Sequence, residues 1–190
     1  MAFDGPLCSG CQNSPPPFEQ TEAPWAYDFP LDAAIKRFKH RGDRPMGRLL
    51  GDRLGAWLLH RFNEGLPRPQ RMLPVPLAAQ RLRVRGFNQS QLLAERLSKS
   101  FGITVADHAV VRIRDTPSQQ HLDLPARQRN LRGAFGLAPN ASVRGLHLAL
   151  VDDVMTTGAT AHAIATLLRQ AGARRVDVYC LARTPGPPRP

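Results

Sequence analysis

The residues of this chain best suited to chemistry are two adjacent carboxylates followed by a short run of hydroxyls and a glycine: Asp152 and Asp153, then Thr156, Thr157, Gly158 and Thr160. Hydroxyl and backbone N–H donors of this kind hold a phosphate, and a glycine lets the backbone approach it closely. Carboxylates placed beside an anion seat are costly unless they meet hydroxyl donors or a cation. A ribose diol that carries a 5′-phosphate satisfies both halves at once. The plainer alternative is a strand-to-helix turn in which aspartate marks the start of the helix. A second candidate set is Arg81, Arg83 and Arg85, three guanidiniums within five residues. Their forked donors suit a diphosphate, while a basic run can equally be a solvated face.

These groups need elements to place them. Leu148, Ala149, Leu150 and Val151 form the near-continuous apolar run of a strand buried on both faces of a parallel sheet. Ala161, Ile164, Ala165 and Leu168 follow with the spacing of one helix face, and Gly172 is placed to cap it. The loop between them, Met155 and Ala159 included, is therefore expected at the carboxyl end of a strand, where open α/β sheets bind ligands. Met72 to Pro76 reads as another strand, running into a loop that carries the three arginines. The arginines are then expected at the rim of the same crevice.

Upstream, Leu31, Ala34, Ile35 and Phe38 make one helical face with Lys36, Arg37 and Lys39 off it, and Gly42 ends the helix. Asp43-Arg44-Pro45 opens a second helix through Leu50, Leu54 and Leu58. Asn88 is placed to cap a third, with Gln91 as its capping-box partner. Ile103 to Arg112 is β-like, with Val110, Val111 and Ile113 as a core strand; Phe135 and Leu137 suit an edge strand, and Arg175 to Leu181 a last strand with Cys180 as a buried small hydrophobe. Residues 112–134 are polar and basic with little apolar period, which suits a flexible hood over a site that must exclude water.

At 190 residues the chain can hold one core with a small appendage. We expect an N-terminal segment at 1–27, a main domain at 28–184 and a Pro-rich tail at 185–190. No apolar run approaches the roughly 18 residues of a membrane span, so no membrane insertion is expected. The formal charge of +11 favours polyanionic partners. Three cysteines make no disulfide framework, which points to a reducing cytoplasm. Cys8 and Cys11 form one C-x-x-C pair, half of what a structural zinc site requires.

Val151-Asp152-Asp153-Val154-Met155-Thr156-Thr157-Gly158-Ala159-Thr160 resembles the PRPP-binding motif of type I phosphoribosyltransferases. Together with Lys39-His40-Arg41-Gly42-Asp43, Arg85-Gly86-Phe87-Asn88-Gln89-Ser90, and Arg114, Thr116, Gln119, Arg127, Asn130 and Gly133-Ala134-Phe135, it resembles the ComF/GntX family of competence-associated, phosphoribosyltransferase-like proteins. The resemblance covers Cys8 to about Arg183 and implies an α/β, type I phosphoribosyltransferase-like open parallel sheet flanked by helices, with a flexible hood. It implies PRPP with Mg²⁺ bound largely through ligand oxygens and water, and transfer of the phosphoribosyl group to an unidentified acceptor with release of pyrophosphate. The ribose hydroxyls would fall to Asp152 and Asp153, and the 5′-phosphate to Met155 through Thr160. Pyrophosphate would fall to Arg81, Arg83 and Arg85, with Arg85 and the two aspartates as the catalytic set. Arg114, Gln119, Arg127 and Arg129 would belong to the hood or the acceptor side. Family members carry an N-terminal zinc ribbon of four cysteines; Cys8 and Cys11 resemble only its final pair, an incomplete zinc site at a truncated start. A non-catalytic alternative is a PRPP-sensing or single-stranded-DNA-binding factor linked to the DNA-uptake machinery. A homodimer is left open.

Overall fold

The computed structural model describes residues 15–114, 130–131 and 133–184. Its frame is a parallel sheet built around the strand β7 (His147–Met155). β7 lies between β8 (Arg175–Arg183) and β3 (Arg71–Pro74), with β4 (Thr104–Val105) beyond β3 and β1 (Gln20–Glu22) beyond β8. β2 (Trp25–Ala26) also pairs with β8. Every pairing in this sheet is parallel.

The apolar run in β7 follows from burial on both faces. Leu148 and Leu150 pack into one core with Ile164, Ala165 and Leu168 of α5 (Ala159–Gln170). Ala149 and Val151 face a second core with three helices: α1 (Leu31–Arg41), α2 (Arg44–Asn63) and α4 (Gln89–Phe101). Each of these residues is 0 % exposed. At about 25 cal/mol per Å² of apolar surface, each buried leucine contributes about 2 kcal/mol over leaving it in water.

The three helices begin and end where local chemistry dictates. α1 buries Ile35 and Phe38 and stops at Gly42, whose φ of 63° is left-handed. Asp43 then caps α2 by accepting a hydrogen bond from the Met46 N–H at 3.0 Å. Leu50, Leu54, Leu58 and Phe62 recur every fourth residue of α2 as its buried stripe. Gly51 lets α4 come close: a Cβ there would lie 3.0 Å from Arg96 Cγ. The Asn88 side chain caps α4 by accepting from the Ser90 N–H, whereas Gln91 turns to Glu95 instead of closing a capping box.

Two expectations are corrected. Arg81, Arg83 and Arg85 do not lie in an open loop but in a short helix, α3 (Ala79–Arg85), with no buried residue and a left-handed Gly86 at its end. Val110, Val111 and Ile113 do not form a strand of the main core. β5 (Val110–Arg112) pairs antiparallel with β6 (Phe135–Leu137) as a separate two-stranded sheet. Of these three only Val110 is buried; Ile113 is 65 % exposed, and no third strand joins this sheet among the described residues. The last strand runs on to Arg183, two residues beyond the expected Leu181. Among the described residues, no helix is long and apolar enough to cross a membrane.

Candidate functional site

β7 delivers both aspartates at its carboxyl end, and the alternation of side chains along the strand turns them toward different neighbours. Asp152 lines a small cleft with Val75, Met155 and the turn from Thr156 to Ala161. Its Oδ1 accepts two hydrogen bonds, from the Ser90 hydroxyl at 3.0 Å and from the Asp153 N–H at 2.8 Å. Burial and the adjacent Asp153 carboxylate push the Asp152 carboxyl up to about 7, against the pull of Lys39 and the two hydrogen bonds. Asp153 is 3 % exposed. Its Oδ1 accepts from the Val154 N–H at 2.6 Å and meets the Lys39 ammonium at 2.9 Å, while its buried Oδ2 has no hydrogen-bond partner.

The turn from Thr156 to Thr160 lies next to Asp152 on the same cleft. Gly158 takes a φ of 74° to turn β7 into α5, a conformation that side chains resist. The N-terminal N–H groups of a helix lack partners within it, and the helix dipole adds partial positive charge there. Thr156 and Thr157 are exposed, and Met155 is buried beneath the turn. Thr160 and Ala159 belong to the first turn of α5.

α4 ties this end of the sheet together. The Asn88 amide donates to the Val75 carbonyl at 3.0 Å, where β3 ends, while Ser90 reaches Asp152. Arg85 donates to Gln89 Oε1. Partial burial holds the Arg85 guanidinium below its usual range; the Asp153 carboxylate opposes that and Arg81 adds to it. Arg81 and Arg85, four residues apart in α3, share a helix face; Arg83 projects from the opposite side. Arg81 and Arg83 are exposed and form no ion pair among the described residues.

Other expected residues lie elsewhere. Arg114 donates to the Asn130 carbonyl at 3.2 Å and does not line the cleft. Gln119, Arg127 and Arg129 of the expected hood lie outside the described residues, as do Thr116, Cys8 and Cys11. Among the described residues, no three His, Cys, Asp or Glu side chains gather as a metal site. Cys180 is fully buried opposite Asp152 in the β7–β8 register, and burial pushes its thiol up to about 12.

Sequence reasoning missed Lys39, His40 and Ser90 as neighbours of the aspartates. Lys39 read as a solvated residue off the apolar face of its helix, and only the packing of α1 against the sheet turns it inward. The short polar string from Asn88 to Ser90 was legible as a helix start, not as a contact to β7.

Comparison with known proteins gives a consistent result. Residues 88–190 match the family model described as phosphoribosyl transferase domain. The chain is 40 % identical over 181 residues to "DNA utilization protein YhgH" of Salmonella typhi, covering 93 % of this chain and 78 % of that protein. It is 35 % identical to "Competence protein F" of Haemophilus influenzae, with the same shares covered. Among solved structures, glutamine phosphoribosylpyrophosphate amidotransferase from B. subtilis is similar at 21 % identity and a TM-score of 0.46, over 70 % of this chain and 25 % of that one.

Proposed function

Since the chain belongs to the ComF family of phosphoribosyltransferase-like proteins, we propose that it binds PRPP at the end of β7 and transfers the 5-phosphoribosyl group to an acceptor. The observation that carries this reading is that Asp152, a diol acceptor, shares one cleft with the Thr156–Thr160 turn. The turn takes the 5′-phosphate. Asp152 accepts from one ribose hydroxyl, and Asp153, whose Oδ2 has no hydrogen-bond partner within the protein, accepts from the other.

In such a transfer the bond from ribose C1 to the diphosphate oxygen breaks, and the electron pair leaves with pyrophosphate. A lone pair of the acceptor forms the new bond to C1, and the acceptor gives up a proton. No covalent link to the protein is needed, so catalysis rests on positioning and on cations that meet the leaving charge. Asp153 is already paired with Lys39, so a magnesium ion fits here as a passenger on the ligand's oxygens and water rather than in a protein cage. When bound, it neutralises part of the diphosphate charge. Arg85 and Arg81, on one face of α3, approach the same leaving group from the protein side. The sparse cysteines support a cytoplasmic setting.

The test is pyrophosphate release from Mg-PRPP across a panel of nucleobases, amines and single-stranded DNA. Release that depends on one acceptor class supports transfer; PRPP binding without release on any acceptor reduces the function to sensing.

A second reading, handling of DNA, draws on the names of the relatives and on one surface. A groove between α2 and α4 has Arg44, Arg48 and Lys99 on its walls, together with Glu95 and with Arg96, which is paired to Asp52. Binding of labelled single-stranded DNA there should weaken steeply with salt. A salt-independent affinity contradicts it.

A further inference from the structure

The basic residues that end α1 have an ordinary explanation: cations in a last helical turn offset the negative end of the helix dipole. Lys36 and Arg37 also have ordinary partners, Asp32 and Asp43. Lys39 does not follow this pattern. It leaves its own helix and reaches across to Asp153 on β7, with its side chain 21 % exposed and its Nζ 2.9 Å from Oδ1. An ammonium has three donors, and this contact uses one. His40 stands beside it; partial burial, then Arg85 and Lys39, hold its imidazole below the ordinary value, while Asp153 pulls the other way. Arg85 feels Asp153 from the α3 side. Lys39 thus touches Asp153 directly, while His40 on the same helix and Arg85 of α3 add positive charge near that carboxylate, whose Oδ2 still has no hydrogen-bond partner.

Their place relative to the cleft gives them a use. Asp152 lies on the cleft side with the Thr/Gly turn, and Asp153 on the α1 side with Lys39. A ribose that hands its 5′-phosphate to the turn and a hydroxyl to Asp152 presents its C1 substituent away from the turn. That direction leads to the basic trio.

We propose that Lys39, with His40 and Arg85, forms the seat for the diphosphate end of the ligand, so that one ammonium both orients Asp153 and grips the leaving group. This rests on the PRPP reading above. The α1 terminus would thereby contribute a binding group lying more than a hundred residues from the motif. The incoming anion would also draw a proton onto His40, because added negative charge favours the imidazolium.

The wild-type protein tests this directly, because it has only three lysines, Lys36, Lys39 and Lys99. Amine labelling followed by mass spectrometry, with magnesium present, compares protection by PRPP, pyrophosphate and ribose 5-phosphate. We expect PRPP and pyrophosphate to protect Lys39 at least fivefold, ribose 5-phosphate not to, and Lys36 and Lys99 to be unaffected. In parallel, calorimetric titration of Lys39→Met should show pyrophosphate binding at least tenfold weaker and ribose 5-phosphate within twofold of wild type. Equal weakening of both ligands means that Lys39 only positions Asp153, and overturns the proposal. Protection by ribose 5-phosphate as strong as by pyrophosphate also overturns it. If Lys39→Met fails to fold, the wild-type labelling decides alone. Wild-type protein that binds none of the three ligands sinks the PRPP reading itself, an outcome distinct from PRPP binding with Lys39 unprotected.

Discussion

Asp152→Asn isolates the energetic cost of the site. In the folded protein Asp152 Oδ1 accepts from Ser90 and from the Asp153 N–H, and an asparagine oxygen can accept both bonds. What the substitution removes is the charge, which burial and Asp153 make unfavourable enough to raise the carboxyl from 3.8 to about 7. A raised folded-state value means that the native protein holds more protons than the unfolded chain between about pH 4 and pH 7. The stabilising contribution is therefore complete below the ordinary carboxylate value and is lost as pH rises through about 7. The interval is roughly 3 pH units, at most ~4 kcal/mol at about 1.36 kcal/mol per unit. Sharing of charge with Asp153 and Lys39 brings the expected gain of the variant to ~1–3 kcal/mol at pH 8. Urea unfolding of both proteins at pH 5, 6, 7 and 8 gives the difference in stability free of other titrating groups. We expect the advantage of Asp152→Asn to be smallest at pH 5, to grow through pH 6 and pH 7, and to level off by pH 8. A variant less stable at pH 8, or a difference that does not change with pH, refutes the assigned burial and charge coupling.

Three further perturbations probe the frame. A Cβ at Gly47 would overlap the ring of the fully buried Phe38, so Gly47→Ala should lose about 1–3 kcal/mol in chemical denaturation despite its better helix propensity. His147 and Asp177 form a buried pair at 2.8 Å, joined by Arg175 at the far end of the sheet from the cleft. His147→Leu should cost about 3 kcal/mol in the same assay while leaving the affinity of the folded protein for PRPP unchanged, which separates fold from site. Gly158→Ala puts a side chain at a φ of 74°, a strain of about 1 kcal/mol; its thermal midpoint should fall slightly and its ribose 5-phosphate affinity clearly.

The strand and helix on either side of the motif were legible because burial on both faces leaves an unbroken apolar run, and one-sided burial leaves a helical period. Leu148 to Val151 and Ala161 to Leu168 sit where that pattern put them. Caps were legible for the same local reason, as at Asp43 and Asn88. Elements whose stability comes only from partners were not. β1 is Gln20-Thr21-Glu22, with no apolar signal; it exists because β8 offers a parallel edge and because Arg61 and Trp57 satisfy the buried Glu22. α3 buries nothing, so no hydrophobic period marks it. Val111 carried a β signal that was correct for local conformation and misleading for burial, and Ile113 lies just past the end of β5, exposed. The aspartates were legible by type and spacing, but their inequality was not. Ser90 on Asp152 and Lys39 on Asp153 set it, through contacts made across the fold.

The central claim is that the acidic pair and the Thr/Gly turn bind PRPP. Titration of Mg-PRPP against wild type and an Asp152→Asn, Asp153→Asn double variant tests it most directly, with circular dichroism to establish that both are folded. Wild type should bind saturably, and the double variant at least a hundredfold more weakly, as expected when charged acceptors to the ribose hydroxyls are lost, at about 1.5–3 kcal/mol each. Equal affinity in the two proteins would contradict the assignment of the diol to Asp152 and Asp153.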